Sequence, residues 1–152
     1  MKIADVMTRN PEIVAPEEPI REAARMMLDA DTGALPVGDR ERLVGMVTDR
    51  DITVRAVAEG RGPDTPVKDV MSDRLLFAWD DQDIDEVAMQ MSDAQVRRVP
   101  VLSRGSERLV GIVSLGDLAR ADEEAADVAL IGISEPDGPH RQTELIERWP
   151  IN

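Results

Sequence analysis

The feature that most constrains the fold is an internal repeat. The segment Glu41–Ile52, ERLVGMVTDRDI, returns as Glu107–Leu118, ERLVGIVSLGDL, with its apolar run, glycine, hydroxyl residue and aspartate in the same order. Upstream of it, Val6-Met7-Thr8 returns as Val70-Met71-Ser72. A unit that recurs in this way usually cannot bury its apolar face alone. In a chain of 152 residues, the two copies are expected to share one pseudo-symmetric domain.

Hydrophobic patterning predicts the same order of elements in both copies. The first copy has a short strand candidate at Ile13-Val14, a one-faced apolar helix over 20–28, strands over 34–37 and 42–47, and a helix from Thr48 to about Glu59. The second has a strand near 75–78, a helix over 84–91, strands over 98–102 and 109–113, and a helix from Ser114. The predicted class is therefore α+β, with two β-α-β-β-α repeats at 1–62 and 63–122.

The remaining residues, 123–152, are predicted to form an acidic and partly mobile C-terminal tail. Asp122 to Glu124 could prolong the last helix, and 128–133 is apolar enough to dock onto the body. Glu135-Pro136-Asp137-Gly138-Pro139 then breaks regular structure. The sole histidine, His140, follows this break, so it forms no catalytic pair and no metal cage with another histidine.

Composition argues against several functional classes. There is no cysteine, so neither a disulfide nor a thiolate metal site can form. The 18 basic residues stand against 31 acidic ones, and the net charge of −13 disfavours nucleic acid as a partner. The longest apolar run is far short of the ~20 residues that a membrane helix needs, and no signal-peptide core is present. We expect a cytoplasmic protein that is not associated with a membrane.

The repeated stretch brings a hydroxyl and a carboxylate to the start of a helix. Thr48 can be the N-cap with Asp51 at the third helical position, and free amide groups of that turn would point the same way. One interpretation is a capping box, in which these groups only satisfy one another. The other is that the carboxylate accepts hydrogen bonds from a ribose diol while the helix start favours an anion. The duplication favours a nucleotide site.

Several motifs recur in order across both copies and resemble a known family. They are Val6-Met7-Thr8 with Val70-Met71-Ser72, Leu35-Pro36-Val37 with Val99-Pro100-Val101, and the two glycine-containing strands that end in Thr48-x-x-Asp51 and Ser114-x-x-Asp117. Together they resemble two tandem CBS domains, a Bateman module, of the stand-alone bacterial or archaeal hypoxic-response type. The resemblance covers about residues 2–120. It implies two repeats packed sheet to sheet, with clefts between them that bind adenosyl ligands, and a disc-shaped homodimer.

The resemblance also implies a set of ligand-binding residues. They are Thr8, Ile13, Pro36, Thr48, Asp51, Ser72, Phe77, Arg97, Arg98, Pro100, Ser114 and Asp117. Within this set the hydroxyl–carboxylate pairs hold ribose, Ile13 and Phe77 lie beside the base, and the two arginines cross over to phosphates held by the other repeat. Gly33 and Ala34 occupy the equivalent places in the first repeat. We therefore expect the Thr48/Asp51 cleft to hold phosphate better than the Ser114/Asp117 cleft.

The expected function is regulatory sensing of AMP, ADP, ATP or S-adenosylmethionine, with the signal passed to a separate protein. No cofactor is required, no catalytic residue is expected, and Mg²⁺ would enter only with a polyphosphate. The alternative is a structural or dimerisation module whose clefts are empty or adapted to another ligand. An enzyme is disfavoured because no Ser-His-Asp arrangement is supported by the spacing.

Overall fold

The protein is described here by a computed structural model that covers residues 1–136; His140 and the rest of the predicted tail lie outside the described residues. The mixed helix and strand class predicted from the sequence is confirmed. The elements are β1 (Thr8–Arg9), α1 (Ile20–Ala30), β2 (Ala34–Gly38), β3 (Leu43–Thr48), α2 (Asp49–Ile52), β4 (Ala78–Trp79), α3 (Ile84–Ala94), β5 (Arg98–Leu102), β6 (Leu109–Ser114), α4 (Leu115–Ala121) and α5 (Glu123–Ile133). A π-helical segment, Thr53–Val57, continues α2, and 3₁₀ turns occur at Ile3–Asp5 and Val67–Asp69.

The helices α1 and α3 form where the apolar spacing predicts them and end in the same way. Ile20, Ala23 and Met27 are buried on one face of α1. The chain then leaves the helix through Asp31, which has a φ of 50°, and α3 ends likewise at Gln95, with a φ of 55°. Left-handed residues of this kind close a helix by bonding its last carbonyls.

The chain divides into two compact units, and the first unit is Pro11–Leu75. Its sheet is the antiparallel hairpin of β2 and β3, flanked by a parallel bridge from Val14 to Val37 and an antiparallel bridge from Ser72 to Met46. The interior is aliphatic, and its buried members include Val14, Ile20, Leu35, Val37, Val47, Val67 and Val70. The segment that leads into the second repeat is thus part of the sheet and core of this unit.

The second unit is Met1–Asn10 together with the chain from Leu76 onward. Its four-stranded sheet has the order β1-β6-β5-β4, with Thr8 opposite Ile112 and with β4 parallel to β5. The segment that leads into the first repeat is thus an edge strand of this unit. Each unit is completed by a lead-in that the sequence attaches to the other repeat.

The predicted first strands are shorter than expected. In the first repeat only Val14 pairs, through its amide to Pro36 O at 3.1 Å and its carbonyl to Gly38 N at 2.9 Å. In the second repeat only Ala78 and Trp79 join the sheet, opposite Val101 and Leu102. Each predicted first strand thus contributes only one or two residues to its sheet.

The chain after the second repeat differs from the prediction in two ways. Asp122 does not prolong α4; it adopts an extended conformation and caps a new helix, α5, by accepting from Glu124 N and Ala125 N. The helix α5 docks as predicted, but through small residues. The buried positions are Ala125, Ala126 and Ala129, while Val128, Leu130 and Ile131 are 38%, 45% and 67% exposed.

Close contact with α3 explains the use of small residues. A Cβ added at Gly132 would lie 1.8 Å from Ser92 Oγ, so only glycine fits there. The buried Gln95 amide reaches over the end of α5 and donates from Nε2 to Gly132 O at 2.8 Å and to Glu135 O at 3.1 Å. Within residues 1–136, no helix is both long and apolar enough to cross a bilayer.

Candidate functional site

The first junction, where β3 runs into α2, is defined by Thr48 and Asp51. Thr48 Oγ1 accepts from Asp51 N at 3.0 Å, and Asp51 Oδ2 accepts from Thr48 N at 2.9 Å. Thr48 has the extended backbone of an N-cap, with φ −120° and ψ 163°. The two residues therefore form a complete capping box, with aspartate in the position usually held by glutamate or glutamine.

The second junction, where β6 runs into α4, repeats this geometry with Ser114 and Asp117. Ser114 Oγ accepts from Asp117 N at 3.1 Å, and Asp117 Oδ2 accepts from Ser114 N at 2.9 Å. Ser114 has φ −117° and ψ 163°, close to the values at Thr48. The acids are 1% exposed at Asp51 and 6% at Asp117. In both junctions a carboxylate is thus held inside the protein at a fixed orientation.

The free amides expected at the first junction are absent among the first three helical positions. Asp49 N donates to Gly33 O at 2.9 Å, Arg50 N to Asp49 Oδ1 at 2.9 Å, and Asp51 N to Thr48 Oγ1. The expectation of free amides is therefore wrong for these three positions. The hairpin turns back far enough for the carbonyl of Gly33 to take the amide that an anion would need.

The lead-in hydroxyls lie beside the junctions but in different environments. Ser72 is 1% exposed and pairs with Met46, two residues before Thr48. Thr8 occupies the matching place opposite Ile112 and is exposed. Ser72 Oγ is buried without a hydrogen-bond partner in the described part of the chain. A buried hydroxyl in this state is available to a bound molecule.

The glycine of each copy makes room for these lead-ins. A Cβ at Gly45 would lie 2.4 Å from Ser72 O, and one at Gly111 would lie 2.5 Å from Met7 Sδ and 2.9 Å from Thr8 O. The sequence shows both glycines as repeated, but it does not show that each contacts the lead-in of the other repeat.

The apolar residues expected in the ligand site lie in or next to the sheets of their own units. In the first unit, Ile13 is partly buried next to the paired Val14, and Pro36 is buried in β2. In the second, Phe77 is partly buried and packs edge-on against Trp79, with ring centroids 4.9 Å apart, and Pro100 is buried in β5. These positions present apolar surface, which suits a base; their contact with a ligand stays a prediction.

The paired arginines lie near the second junction. Arg97 O accepts from Leu115 N at 2.9 Å, and Arg98 pairs with Ser114 across the sheet. Arg97 is exposed and Arg98 is partly exposed. Neither side chain makes a hydrogen bond or ion pair with another residue in 1–136.

Two arginines that sequence reasoning did not single out contact the junctions. Arg55, in the π-helical segment, donates through Nη1 to Val70 O at 3.0 Å and to Met71 O at 2.9 Å. Burial lowers the pKa of Arg55, and the nearby Asp51 carboxylate acts in the opposite direction. Arg120 Nη2 donates to Asp117 Oδ1 at 2.5 Å. The i, i+3 spacing of Asp117 and Arg120 was a visible signal; Arg55 had none, because Ala121 takes its place in the second copy.

The described residues offer no metal site. No group of three or more histidine, cysteine, aspartate or glutamate side chains within 1–136 is arranged to hold an ion. Each junction contributes one buried carboxylate, and that carboxylate is engaged in a capping box.

The model of the CBS domain family matches residues 3–57 and 67–124, which include both junctions and both lead-ins. The chain belongs to the CBS domain family. Its two CBS domains are in tandem, as predicted from the repeat.

Sequence relatives cover most of the CBS pair. The chain is 40% identical to the CBS domain-containing protein YhcV of Bacillus subtilis over 134 residues, 87% of this chain and 94% of that protein. It is also 40% identical to Hypoxic response protein 1 of Mycobacterium tuberculosis over 129 residues, 84% of this chain and 89% of the relative.

Solved structures agree in fold and carry different bound groups. Hypoxic Response Protein I with two coordinated zinc ions matches with a TM-score of 0.72 at 38% identity, over 79% of this chain and 98% of that one. The CBS domain pair of protein MJ0100, in complex with 5′-methylthioadenosine and S-adenosyl-L-methionine, gives 0.72 at 28% identity, over 82% and 97%. CBSX2 in complex with AMP gives 0.70 at 26% identity, over 81% and 96%. The zinc of the first has no matching donor cluster in residues 1–136.

Proposed function

We propose that the protein is a regulatory CBS pair that binds adenosyl ligands at its two junctions and passes the signal to a separate protein. The observation that carries the proposal is the duplicated, buried carboxylate held behind a hydroxyl, Asp51 with Thr48 and Asp117 with Ser114. A cap alone needs no burial of the acid. A buried carboxylate with a fixed orientation suits a vicinal diol, whose two hydroxyls donate to it.

The proposed contacts centre on the carboxylate of each capping box. Oδ2 of each aspartate accepts from the N-cap amide, and ribose hydroxyls would donate to the same carboxylate, which at Asp117 they would share with Arg120. The apolar edges at Ile13 and Phe77 would lie beside the base. Arg97 and Arg98, which are without ion pairs in the described chain, would reach phosphates, with Mg²⁺ entering only alongside a di- or triphosphate.

Two structural relatives support the choice of ligand class. MJ0100 was solved with 5′-methylthioadenosine and S-adenosyl-L-methionine, and CBSX2 with AMP. These ligands share an adenosyl group and differ in what is attached to its 5′ position. The shared part is what a hydroxyl–carboxylate pair beside an apolar edge can recognise, so AMP, ADP, ATP and S-adenosylmethionine form one proposed class.

The proposed output is a shift between conformations rather than a reaction. A ligand can change an equilibrium only by binding the two states with different affinity. The polar motif that recurs in residues 1–136 is the hydroxyl–carboxylate pair, and its geometry suits binding of a diol. We propose a homodimer as the signalling form and the cytoplasm as its location.

A thermal-shift panel tests the proposal. A ligand that binds only the folded state at 100 times its Kd stabilises it by about 2.7 kcal/mol, which raises the melting temperature by several degrees. AMP, ADP and ATP with and without Mg²⁺, and S-adenosylmethionine, should be compared with adenine-free ribose 5-phosphate. At least one adenosyl ligand should raise the melting temperature, and the double variant Asp51→Asn/Asp117→Asn should abolish the shift while Asp127→Asn, an exposed acid on α5, keeps it.

The second candidate is a structural or dimerisation module. It is favoured by the completeness of both capping boxes, since each acid already stabilises the helix that follows it. This candidate would be supported if no adenosyl ligand changed the melting temperature while the chain remained dimeric by light scattering.

A further inference from the structure

We infer that the two junctions are unequal and load in order, the first before the second, because Arg55 preorganises the first and Arg120 occupies the carboxylate of the second. The inference rests on the proposed function, since it assigns an order to the same two sites. It identifies Arg55 as a positioning residue and Arg120 as an autoinhibitory contact.

The first junction is preorganised through its lead-in. The Arg55 guanidinium bonds two successive carbonyls, Val70 O at 3.0 Å and Met71 O at 2.9 Å, immediately before Ser72. Ser72 itself is fixed to Met46 by two backbone bonds of 2.8 and 3.0 Å. The segment beside Thr48 and Asp51 is therefore held at both its approach and its contact point. Fixing a binding surface before the ligand arrives removes the ordering cost from the binding step.

The first junction also contains polar atoms that lack partners. Ser72 Oγ is one of them, in a residue that is 1% exposed. The Nε and Nη2 atoms of Arg50, which lies between the two capping residues, are buried and have no hydrogen-bond partner within 1–136. Buried donors without partners are costly, and a bound hydroxyl or anionic group would relieve that cost. These atoms therefore favour occupation of the first junction.

The second junction shares the pairing of its lead-in, with Thr8 opposite Ile112, but it lacks the two arginines and the buried hydroxyl. Gly116 stands in the place of Arg50 and Ala121 in the place of Arg55, and the lead-in residue Thr8 is exposed. Its carboxylate is engaged on both oxygens, because Oδ2 accepts from Ser114 N and Oδ1 from Arg120. A ribose that binds Asp117 must first displace the guanidinium or share the oxygen with it.

The strength of the Arg120 contact sets the size of the effect. The Arg120 side chain is 74% exposed and that of Asp117 is 6% exposed. Water and salt therefore reach the arginine but not the carboxylate, and they screen the ion pair only partly. Ion pairs with one well-exposed partner change affinities by about 2- to 5-fold when removed. Arg120→Met should therefore tighten the second binding step by about 2- to 5-fold at low salt, and the gain should shrink as salt is raised.

Calorimetric titration with AMP tests the order of loading. The full chain should show two steps, the first at least tenfold tighter than the second. Asp51→Asn should remove the tight step and Asp117→Asn the weak one. Arg120→Met should tighten only the weak step, and only when Asp117 is present. Arg120→Lys should restore the weak step toward the parent value, and Arg25→Met, an exposed arginine on α1, should change neither step.

Arg55 is tested by two measurements, of which the second needs no ligand. Arg55→Met should weaken the tight step on the order of tenfold. It should also speed hydrogen exchange of the Ser72 and Met46 amides, and Arg55→Lys should have a smaller effect in both measurements. Equal affinities at the two junctions, or no effect of Arg120→Met on the weak step, would overturn the inference and leave the proposed function standing. Absence of AMP binding together with absence of any other adenosyl ligand's binding would overturn both.

Discussion

Ser72 and Met46 exchange two backbone hydrogen bonds, Ser72 N to Met46 O at 2.8 Å and Met46 N to Ser72 O at 3.0 Å. This pair joins the lead-in of the second repeat to the strand that ends at the first junction. Gly45, next to Met46, lets the two backbones approach, since a Cβ there would lie 2.4 Å from Ser72 O. The contact that fixes Ser72 against β3 therefore depends on a missing side chain.

Replacing that glycine should destabilise the protein. Gly45→Ala forces the lead-in away from β3, and overpacking of this kind typically costs about 1–3 kcal/mol. Urea denaturation should show the loss, and binding of AMP at the first junction should weaken with it. Gly62→Ala is the matched control, because a Cβ there meets nothing within 4 Å. Equal stability of the two variants would contradict the proposed role of the close approach.

The charge of Asp51 should matter more for the ligand than for the fold. Asp51→Asn keeps an oxygen that can accept from Thr48 N but removes the charge, and hydrogen bonds to charged groups are worth roughly 1.5–3 kcal/mol. We expect Kd for AMP at the first junction to rise about 10- to 150-fold, measured by calorimetry. An unchanged Kd in a folded variant would show that the carboxylate serves only as a helix cap.

The amide of Gln95 should anchor α5. Its Nε2 donates to two carbonyls at the end of that helix, and loss of a buried partner of this kind costs about 1–3 kcal/mol. Gln95→Ala should lower the urea midpoint and speed hydrogen exchange in α5. The control is Gln90→Ala on the same helix, because the buried Oε1 of Gln90 has no hydrogen-bond partner among the residues described. A larger loss from Gln90→Ala would contradict the assignment.

The ion pair between Arg104 and Asp81 should be lost in acid, when the Asp81 carboxylate is protonated. Arg104 Nε donates to both carboxylate oxygens, at 2.7 and 2.9 Å, and this bond lowers the pKa of Asp81 from its ordinary 3.8. Because the pKa of Asp81 is lower in the folded state than in the unfolded state, the ionised carboxylate stabilises the fold at pH values above the unfolded-state pKa. This stabilisation is lost as the pH falls through the folded-state pKa. Arg104→Met should raise the pKa of Asp81, followed by carboxyl NMR titration. As a control, Arg25→Met, which removes an exposed arginine of α1, should leave the pKa of Asp81 unchanged.

Local patterns were sufficient to predict the helices and strands but not their partners. The one-faced spacing of Ile20 and Met27 fixes a helix whatever surrounds it, and the prediction for α1 was confirmed. The lead-ins behave differently: Val6-Met7-Thr8 and Val70-Met71-Ser72 have nearly the same composition, so nothing local states which sheet each one joins. That choice is made by tertiary contacts, including those of Gly45 and Gly111.

The sequence predicted the residue types at the two junctions, but it predicted only some of the residues that contact them. The hydroxyl and carboxylate of each junction were identified because they repeat, and the capping geometry follows from their spacing. Arg55 was missed because it occurs in one copy only, and its role depends on a carbonyl pair that is distant in sequence. For α5, apolar content pointed to residues 128–133, whereas the close approach of Ser92 to Gly132 selects alanine for the buried face.

The exchanged lead-ins also bear on how this chain could be divided in the laboratory. A gene fragment that stops after the first repeat would lack the 3₁₀ turn at Val67–Asp69 and the Ser72 bridge to Met46, and one that starts there would lack the edge strand supplied by the first ten residues. Residues 11–75, in contrast, carry one whole unit without interruption. The compact unit is therefore out of phase with the repeated segment, and each repeat supplies residues to the sheet of the unit that contains the other.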